Sequence, residues 1–521
     1  MTPRAMVIGL IVAILLAACS IPKPDGTPTP KPPRDVVVTV VSRTGEAPVP
    51  NARLQAGSAT ATTAADGRVK VTALVGSNVQ ASADGFDDGR GAVPEKGGLT
   101  IKLRPNVVSG VVMSGDRKPI AGVRVFVEGS AAPTETDAQG HYLLAGVPEK
   151  GTLIYKMPGY RLGVIPIDEQ MTKDVALTSF VTRALYSPAA IFEGTGRLDA
   201  QLDLIDKTEA NAMVIDVKET DGNLYWATDL PAAASVGAIM NHPLLQLDQL
   251  LPKLKARGIY TIARMVVMKD NTLGNAKPEL AVTNSVTGKP WRDNHGGIWL
   301  DPYNPGVAEY IAALAGDLAD KGFDEVQLDY VRFFSDGDYA VADTNLPNTQ
   351  SFRLPAIRRL FRLVSDTLAT RRAFFSADVF PISFIATDDQ GIGQRPEVIM
   401  PYVDYFSPMV YPSHYGPYTF GFKTPNDHPY DVINETLKIM NKERAGLRMV
   451  IRPWIQDFGY GPFPPYTAPQ VLQEMKAASD NGAQGWMIWN ASARFTRAAL
   501  GSPRDGEASG PITSPLPSAG S

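Results

Sequence analysis

From Ser179 to about Gly501, short β-branched runs alternate with amphipathic helical stretches, and no other feature of the chain restricts its fold so tightly. A helical crossover returns the next strand parallel to the last, so this alternation builds a parallel sheet with helices outside it. The candidate strands are Thr182 to Tyr186, Ala212 to Lys218, Tyr260 to Val267, Glu325 to Tyr330, Phe374 to Val379, Tyr405 to Tyr411, Met449 to Trp454 and Gly485 to Asn490. Eight strands over about 320 residues predict a (β/α)8 barrel with some long connections. A doubly wound open sheet would call for a glycine-rich phosphate loop after its first strand, and Arg183 to Ile191 contains none. Helix ends are marked too: Asn304-Pro305 opens a helix that Gly322 closes, and Thr467-Ala468-Pro469-Gln470 reads as a capping box before Asn481-Gly482.

Before this region, valines alternate with polar residues and break at Gly and Pro, as in Val36-Val37-Val38-Thr39-Val40 and Arg68-Val69-Lys70-Val71. Short strands with frequent turns predict antiparallel sandwiches. Pro48-Val49-Pro50-Asn51-Ala52-Arg53 aligns with Pro119-Ile120-Ala121-Gly122-Val123-Arg124, Asp66-Gly67 with Gln139-Gly140, and Gly85-Phe86 with Gly159-Tyr160. This is a tandem duplication with small insertions. The second copy, through Val108 to Val112, Pro119 to Val123 and Thr136 to Tyr142, resembles the carboxypeptidase regulatory-like domain, a β-sandwich; the resemblance implies a spacer or carbohydrate-proximal module. The expected fold class is an α/β (β/α)8 TIM barrel over 179–501, behind two all-β sandwich domains at 35–106 and 107–178. The Pro-, Ser- and Gly-rich stretch 502–521 is expected to be disordered.

Composition narrows the function. Among 521 residues, 50 basic and 54 acidic side chains are well mixed, so no basic stripe exists for nucleic acid. One cysteine excludes an intrachain disulfide or a thiolate metal site, and His141, His242, His295, His414 and His428 lack metal-helix spacing. No metal and no cofactor are expected. The lone cysteine follows Arg4 and the apolar run Met6 to Ala18, which is too short to span a bilayer but suits a signal peptide. Leu16-Ala17-Ala18-Cys19 resembles a bacterial lipobox, which implies a signal peptide at 1–18, lipidation of Cys19, a Pro-rich linker over 19–34 and a membrane-anchored, exported protein.

In a barrel of this type, chemistry sits at the C-terminal ends of the strands. Asp216, Lys218 and Glu219 end the second, Arg264 lies on the third, and Asp329, Tyr330 and Arg332 end the fourth. Asp378 ends the fifth, Tyr411 and His414 follow the sixth, Trp454 and Asp457 the seventh, and Trp489 and Asn490 the eighth. Carboxylates among aromatic rings point to a sugar site, since rings stack on apolar sugar faces and carboxylates act as acid, base or nucleophile. The loop from Met268 to Trp299 is long enough to be functional, and its Trp291 is expected in the substrate cleft.

Three motifs carry a family resemblance: Gly322-Phe323-Asp324-Glu325-Val326-Gln327-Leu328-Asp329-Tyr330-Val331-Arg332-Phe333, Trp299 to Pro305, and Ser407 to Tyr415. Together they resemble a bacterial glycosyl hydrolase family carried as a domain of unknown function and related to the α-amylase barrels. The resemblance implies glycosidase activity on a polysaccharide or oligosaccharide. It also carries the amylase nucleophile over to Asp329, while the amylase acid, a glutamate on the fifth strand, meets the shorter Asp378 here.

Tips of neighbouring strands stand close enough for the roughly 5 to 5.5 Å that a retaining mechanism uses. Arg264 or Arg332 beside Asp329 would keep it ionised while a desolvated Asp378 keeps its proton. Asp216 and Asp457 are the alternatives for the acid. Asp329 could instead be a structural ion pair, and Asp457 a loop cap. A degenerate barrel that binds glycan without cleaving it is the rival function.

Overall fold

A computed structural model describes residues 32–130, 133–194, 196–503 and 510–516. The expected signal peptide, Cys19 and nearly all of the linker lie outside the described residues. The chain divides into two compact units, Met1–Pro105 and Asn106–Ser521.

In the first unit, strand Pro33–Ser42 pairs antiparallel with Arg68–Leu74 and parallel with Leu99–Leu103. A second sheet holds Arg53–Ala56, Ala59–Thr62, Asn78–Ser82 and Gly89–Ala92. Alternation turns Val36, Val38 and Val40 to one face, where they share a core with Leu54, Val79 and Ala81 of the other sheet.

The second unit opens with the same plan. Val107–Ser114 pairs antiparallel with His141–Ala145 and parallel with Val175–Leu177. Matched details recur: the hydroxyl of Thr63 donates to Val49 O and accepts from Ala52 N, and that of Thr136 does the same with Ile120 O and Val123 N. Gly67 and Gly140 both have positive φ, and a Cβ on either would strike the carbonyl of Val40 or Val112, so only glycine serves both turns.

Eight parallel strands follow: β1 (Thr182–Ser187), β2 (Ala212–Lys218), β3 (Tyr260–Val266), β4 (Glu325–Asp329), β5 (Phe374–Val379), β6 (Tyr405–Pro408), β7, which is split into Val450–Ile451 and Trp454–Gln456, and β8 (Gly485–Trp489). The first half of β7 pairs with β6 and the second with β8, while β8 also pairs with β1. The nine-segment sheet therefore runs round a ring, with Val410 N donating to Trp454 O across the split. Pro453, which has no N–H to donate, marks the break.

Alternate strand residues separate two cores. Ala212, Val214, Tyr260, Ile262, Phe374, Tyr405 and Met487 fill one cluster inside the ring, whereas Met213, Ile215, Val326, Phe375, Phe406 and Ile488 pack outward with the helices. Helix Pro305–Lys321 starts on an Asn304 cap to Gly306 N and stops at Gly322, φ 103°.

Two expectations change. The Met268 to Trp299 connection is structured: it holds helix Asn271–Ala276 and strand Thr283–Asn284, which pairs with Ala342–Asp343. Within the stretch expected to be disordered, residues 510–516 are placed. Ile512 exchanges backbone bonds with Leu162 and Val164 and packs on the core of the second β region, because edge strand Gly163–Pro166 still had groups to pair.

The second β region is also fastened to the ring. Lys156 is buried, donates to Leu368 O and Ala373 O, and pairs with Asp404 at 3.5 Å; Arg448 holds the same carboxylate at 3.1 Å, and Gly159 N donates to Tyr405 Oη. Among the described residues no helix is long and apolar enough to cross a membrane.

Candidate active site

Inward positions near the C-terminal ends of β2 to β5 carry Asp216, Arg264, Asp329 and Asp378, and the guanidinium of Arg264 organises the carboxylates. Its Nη1 donates to Asp216 (2.6 Å) and to Glu219 (2.8 Å), Nη2 and Nε donate to Asp329 Oδ2 (2.5 and 3.2 Å), and Asp378 Oδ2 lies 3.8 Å from Nε. Asp329 also accepts from Tyr330 N at 2.6 Å. Tyr330 has φ 55°, a strained conformation for a residue with a side chain, and it turns the chain sharply just past the carboxylate. Among the described residues no three His, Cys, Asp or Glu side chains are grouped as metal ligands; these carboxylates gather round Arg264 instead.

The carboxylates differ electrostatically. Asp378 is 1% exposed, and burial first, then the charge of Asp329, pushes its pKa well above the usual carboxylate range, although Trp454 Nε1 donates to it at 2.7 Å. Burial likewise pushes Asp216 up to about 8, with Glu219 adding to the rise and Arg264 opposing it; Tyr186 donates its hydroxyl to Asp216. Of these carboxylates, Asp329 is the one that Arg264 meets through two nitrogens.

A cavity of about 640 Å³ opens over this cluster. Of the residues singled out from sequence, Arg264, Asp329, Tyr330, Arg332, Asp378, Tyr411, His414, Trp454 and Trp489 line it. Trp489 stacks on Tyr186 with ring centres 4.0 Å apart, and His414 packs against Tyr411 while Ser413 holds its Nδ1 at 3.0 Å. Burial lowers the His414 pKa and raises that of Tyr411, so both face the cavity uncharged at neutral pH.

The other expected residues lie elsewhere. Asp216 stands behind Arg264 and supports it. Lys218 is off the inner face, because the β2 register shifts between Asp216 and Lys218; its ammonium pairs with Asp270 at 2.9 Å and donates to Val266 O. Trp291 is 1% exposed, packs on Phe334 and donates to Asp338 O, so it pins its loop rather than lining the cleft. Asp457 accepts from Thr496 N and Oγ1, and Asn490 donates to Asp457 O while accepting from Ser492 N: both shape turns. Arg332 makes no ion pair with Asp329; it lies over the rings of Trp299, Tyr330 and Phe380.

Sequence reasoning finds Glu219 at the end of the second strand without giving it a role, and leaves out Tyr186 and the apolar wall of Phe380, Ile382 and Met409. Glu219 falls just past β2, where a strand-end search does reach it. Tyr186 is recognisable only once β1 and β2 are known to be neighbours.

A protein of known structure from Ruminiclostridium thermocellum ATCC 27405, described as hypothetical, is 34% identical over 37% of this chain and 97% of its own, with TM-score 0.34. The glycoside hydrolase domain of PgaB (BpsB) from Bordetella bronchiseptica is 15% identical, covers 62% of this chain and 99% of its own, and has TM-score 0.45. A curated relative, TonB-dependent receptor P39 of Formosa agariphila, is 36% identical over 70 residues; these are 13% of this chain and span only 7% of the receptor. Residues 184–495 match the family described as "Putative glycosyl hydrolase domain". That match runs from β1 to beyond β8 and takes in well over half of the sequence, and the chain belongs to this family.

Proposed function

We propose that the protein hydrolyses glycosidic bonds of a polysaccharide or oligosaccharide with retention of anomeric configuration. Asp329 is the nucleophile, and Asp378 is the general acid that then serves as base. The observation that carries this reading is the contrast across one cavity: Asp329 is clamped by two guanidinium nitrogens, while Asp378 beside it meets the guanidinium only at 3.8 Å and is desolvated, which pushes its pKa up. Both Oδ2 atoms lie within 3.8 Å of Arg264 Nε, which keeps the carboxylates close enough to flank one bond.

In the first step Asp378 gives its proton to the leaving oxygen as Asp329 attacks the anomeric carbon. In the second, Asp378 takes a proton from the water that releases the sugar from Asp329. Trp489 and Tyr411 supply rings for the sugar faces, and Trp454 Nε1 fixes the orientation of Asp378. In the same proposal Cys19 carries a lipid that holds the exported protein at the cell envelope, and the duplicated β regions are carboxypeptidase regulatory-like modules.

Release of new reducing ends should be screened across cell-wall, exopolysaccharide and storage glycans with the full chain, Asp329→Ala and Asp378→Ala. Loss of at least about 100-fold in rate is expected for each variant. An Asp329→Ala protein that keeps most of its rate, or a native protein that binds glycan without any turnover, overturns the reading in favour of a binding protein.

A further inference from the structure

Among the described residues, most buried cations pair with carboxylates. Arg264 has Asp216, Glu219 and Asp329, Arg452 has Glu325, Arg353 has Asp389, Lys218 has Asp270, and Lys156 has Asp404. Arg332 departs from this pattern. It is 7% exposed and lines the active-site cavity, yet among the described residues no carboxylate is in ion-pair range of it. Its hydrogen bonds within the described residues come from Nη1 alone, to Ser335 Oγ at 2.6 Å and Phe333 O at 3.3 Å. Asp329 and Asp336 act on it only at longer range.

Three rings hold the guanidinium in place: Trp299 and Phe380 at 4.8 Å and Tyr330 at 4.9 Å from its central carbon. Ring faces stabilise a guanidinium but leave the in-plane N–H groups unspent, and those groups form the fork that fits a carboxylate. A positioned, desolvated cation with spare donors at the wall of a sugar cavity is a receptor for an anion.

We propose that the substrate is an acidic glycan whose carboxylate-bearing sugar, at or next to the cleaved bond, is held through its carboxylate by Arg332. This rests on the glycosidase reading for the word substrate, but the recognition itself is a matter of binding. The uncommitted fork fits a planar carboxylate, and Arg264, spent on its own carboxylates, does not compete for it.

The test is calorimetric titration of the full chain carrying Asp329→Asn, which prevents turnover. The probes are oligosaccharides of galacturonate, of glucuronate-containing hyaluronan and of alginate, each against its carboxyl-reduced neutral counterpart. At least one acidic probe is expected to bind, about 10- to 100-fold more tightly than its neutral form, and the preference should disappear in Arg332→Gln. Arg332→Lys should keep part of it, since the charge remains and the fork is lost.

Comparison of acidic with reduced probes on the unaltered Arg332 protein needs no folded Arg332 variant. Equal binding of the two forms, or binding of no acidic probe, overturns the proposal. Rapid hydrolysis of a neutral glycan, unaffected by Arg332→Gln, would remove this proposal and leave the glycosidase standing. Charge-selective binding without turnover would do the reverse.

Discussion

Arg264 is bonded to three carboxylates at once, and taking it away strands them in a buried site. Arg264→Met is expected to lower stability by about 3–5 kcal/mol, measured by urea denaturation, because an uncompensated buried charge costs far more than the intact pair contributes. Asp216 gives a prediction with a definite sign. Its folded pKa of about 8 stands above its unfolded value of 3.8, so the folded state binds this proton more tightly. Stability from this group is complete below about pH 4 and is lost as pH rises through 8. Between pH 4 and 8 the melting temperature of Asp216→Asn should therefore fall less than that of the native protein, and parallel profiles would contradict the assignment. For catalysis, Asp378 must hold its proton, so kcat/KM should decline on the alkaline side and Asp378→Asn should abolish that limb. Much of this cluster is legible in sequence, since Asp216, Asp329 and Asp378 lie near the ends of predicted strands and Arg264 lies on the third. Their ranking is not: only three-dimensional placement shows Asp216 behind Arg264 and Asp378 on the cavity wall, bonded by Trp454.

At the scale of elements, the strands read well because alternation and length are local properties. β2 and β5 occupy the residues expected from sequence, whereas β7 is split by Pro453. Arg452, just before the split, turns inward to a buried pair with Glu325, which also accepts from Tyr260 Oη at 3.0 Å. Arg452→Leu should cost about 3–5 kcal/mol in denaturant titrations, and Glu325→Gln on top of it should recover part of the loss. Lys218 leaves the inner face through the β2 register shift, a one-residue slip that reverses every later side chain and leaves no mark in composition. Trp291 escapes placement from sequence because an aromatic residue in a long loop reads the same whether it faces ligand or anchors the loop. Its burial predicts that Trp291→Ala lowers stability by about 3–5 kcal/mol, seen as a lower melting temperature, and leaves glycan affinity unchanged.

At the scale of the molecule, the second β region is fastened to the ring by buried contacts, while its resemblance implies a spacer or carbohydrate-proximal module. Asp404 stays below the usual carboxylate range despite its burial because Lys156 and Arg448 face it, and Lys156 comes from the β region. A chain beginning at residue 179 loses that partner and should be less stable by about 3–5 kcal/mol in chemical denaturation; equal stability would restore the spacer reading. Contacts of this kind join residues more than two hundred positions apart, so no local pattern announces them. The function proposed for the whole rests on Asp329 and Asp378 acting in two displacements at one carbon. Proton NMR of the first product anomer, followed from the start of hydrolysis before mutarotation sets in, tests this most directly. Retention of the substrate's configuration is the expected result, and an inverted first product would contradict it.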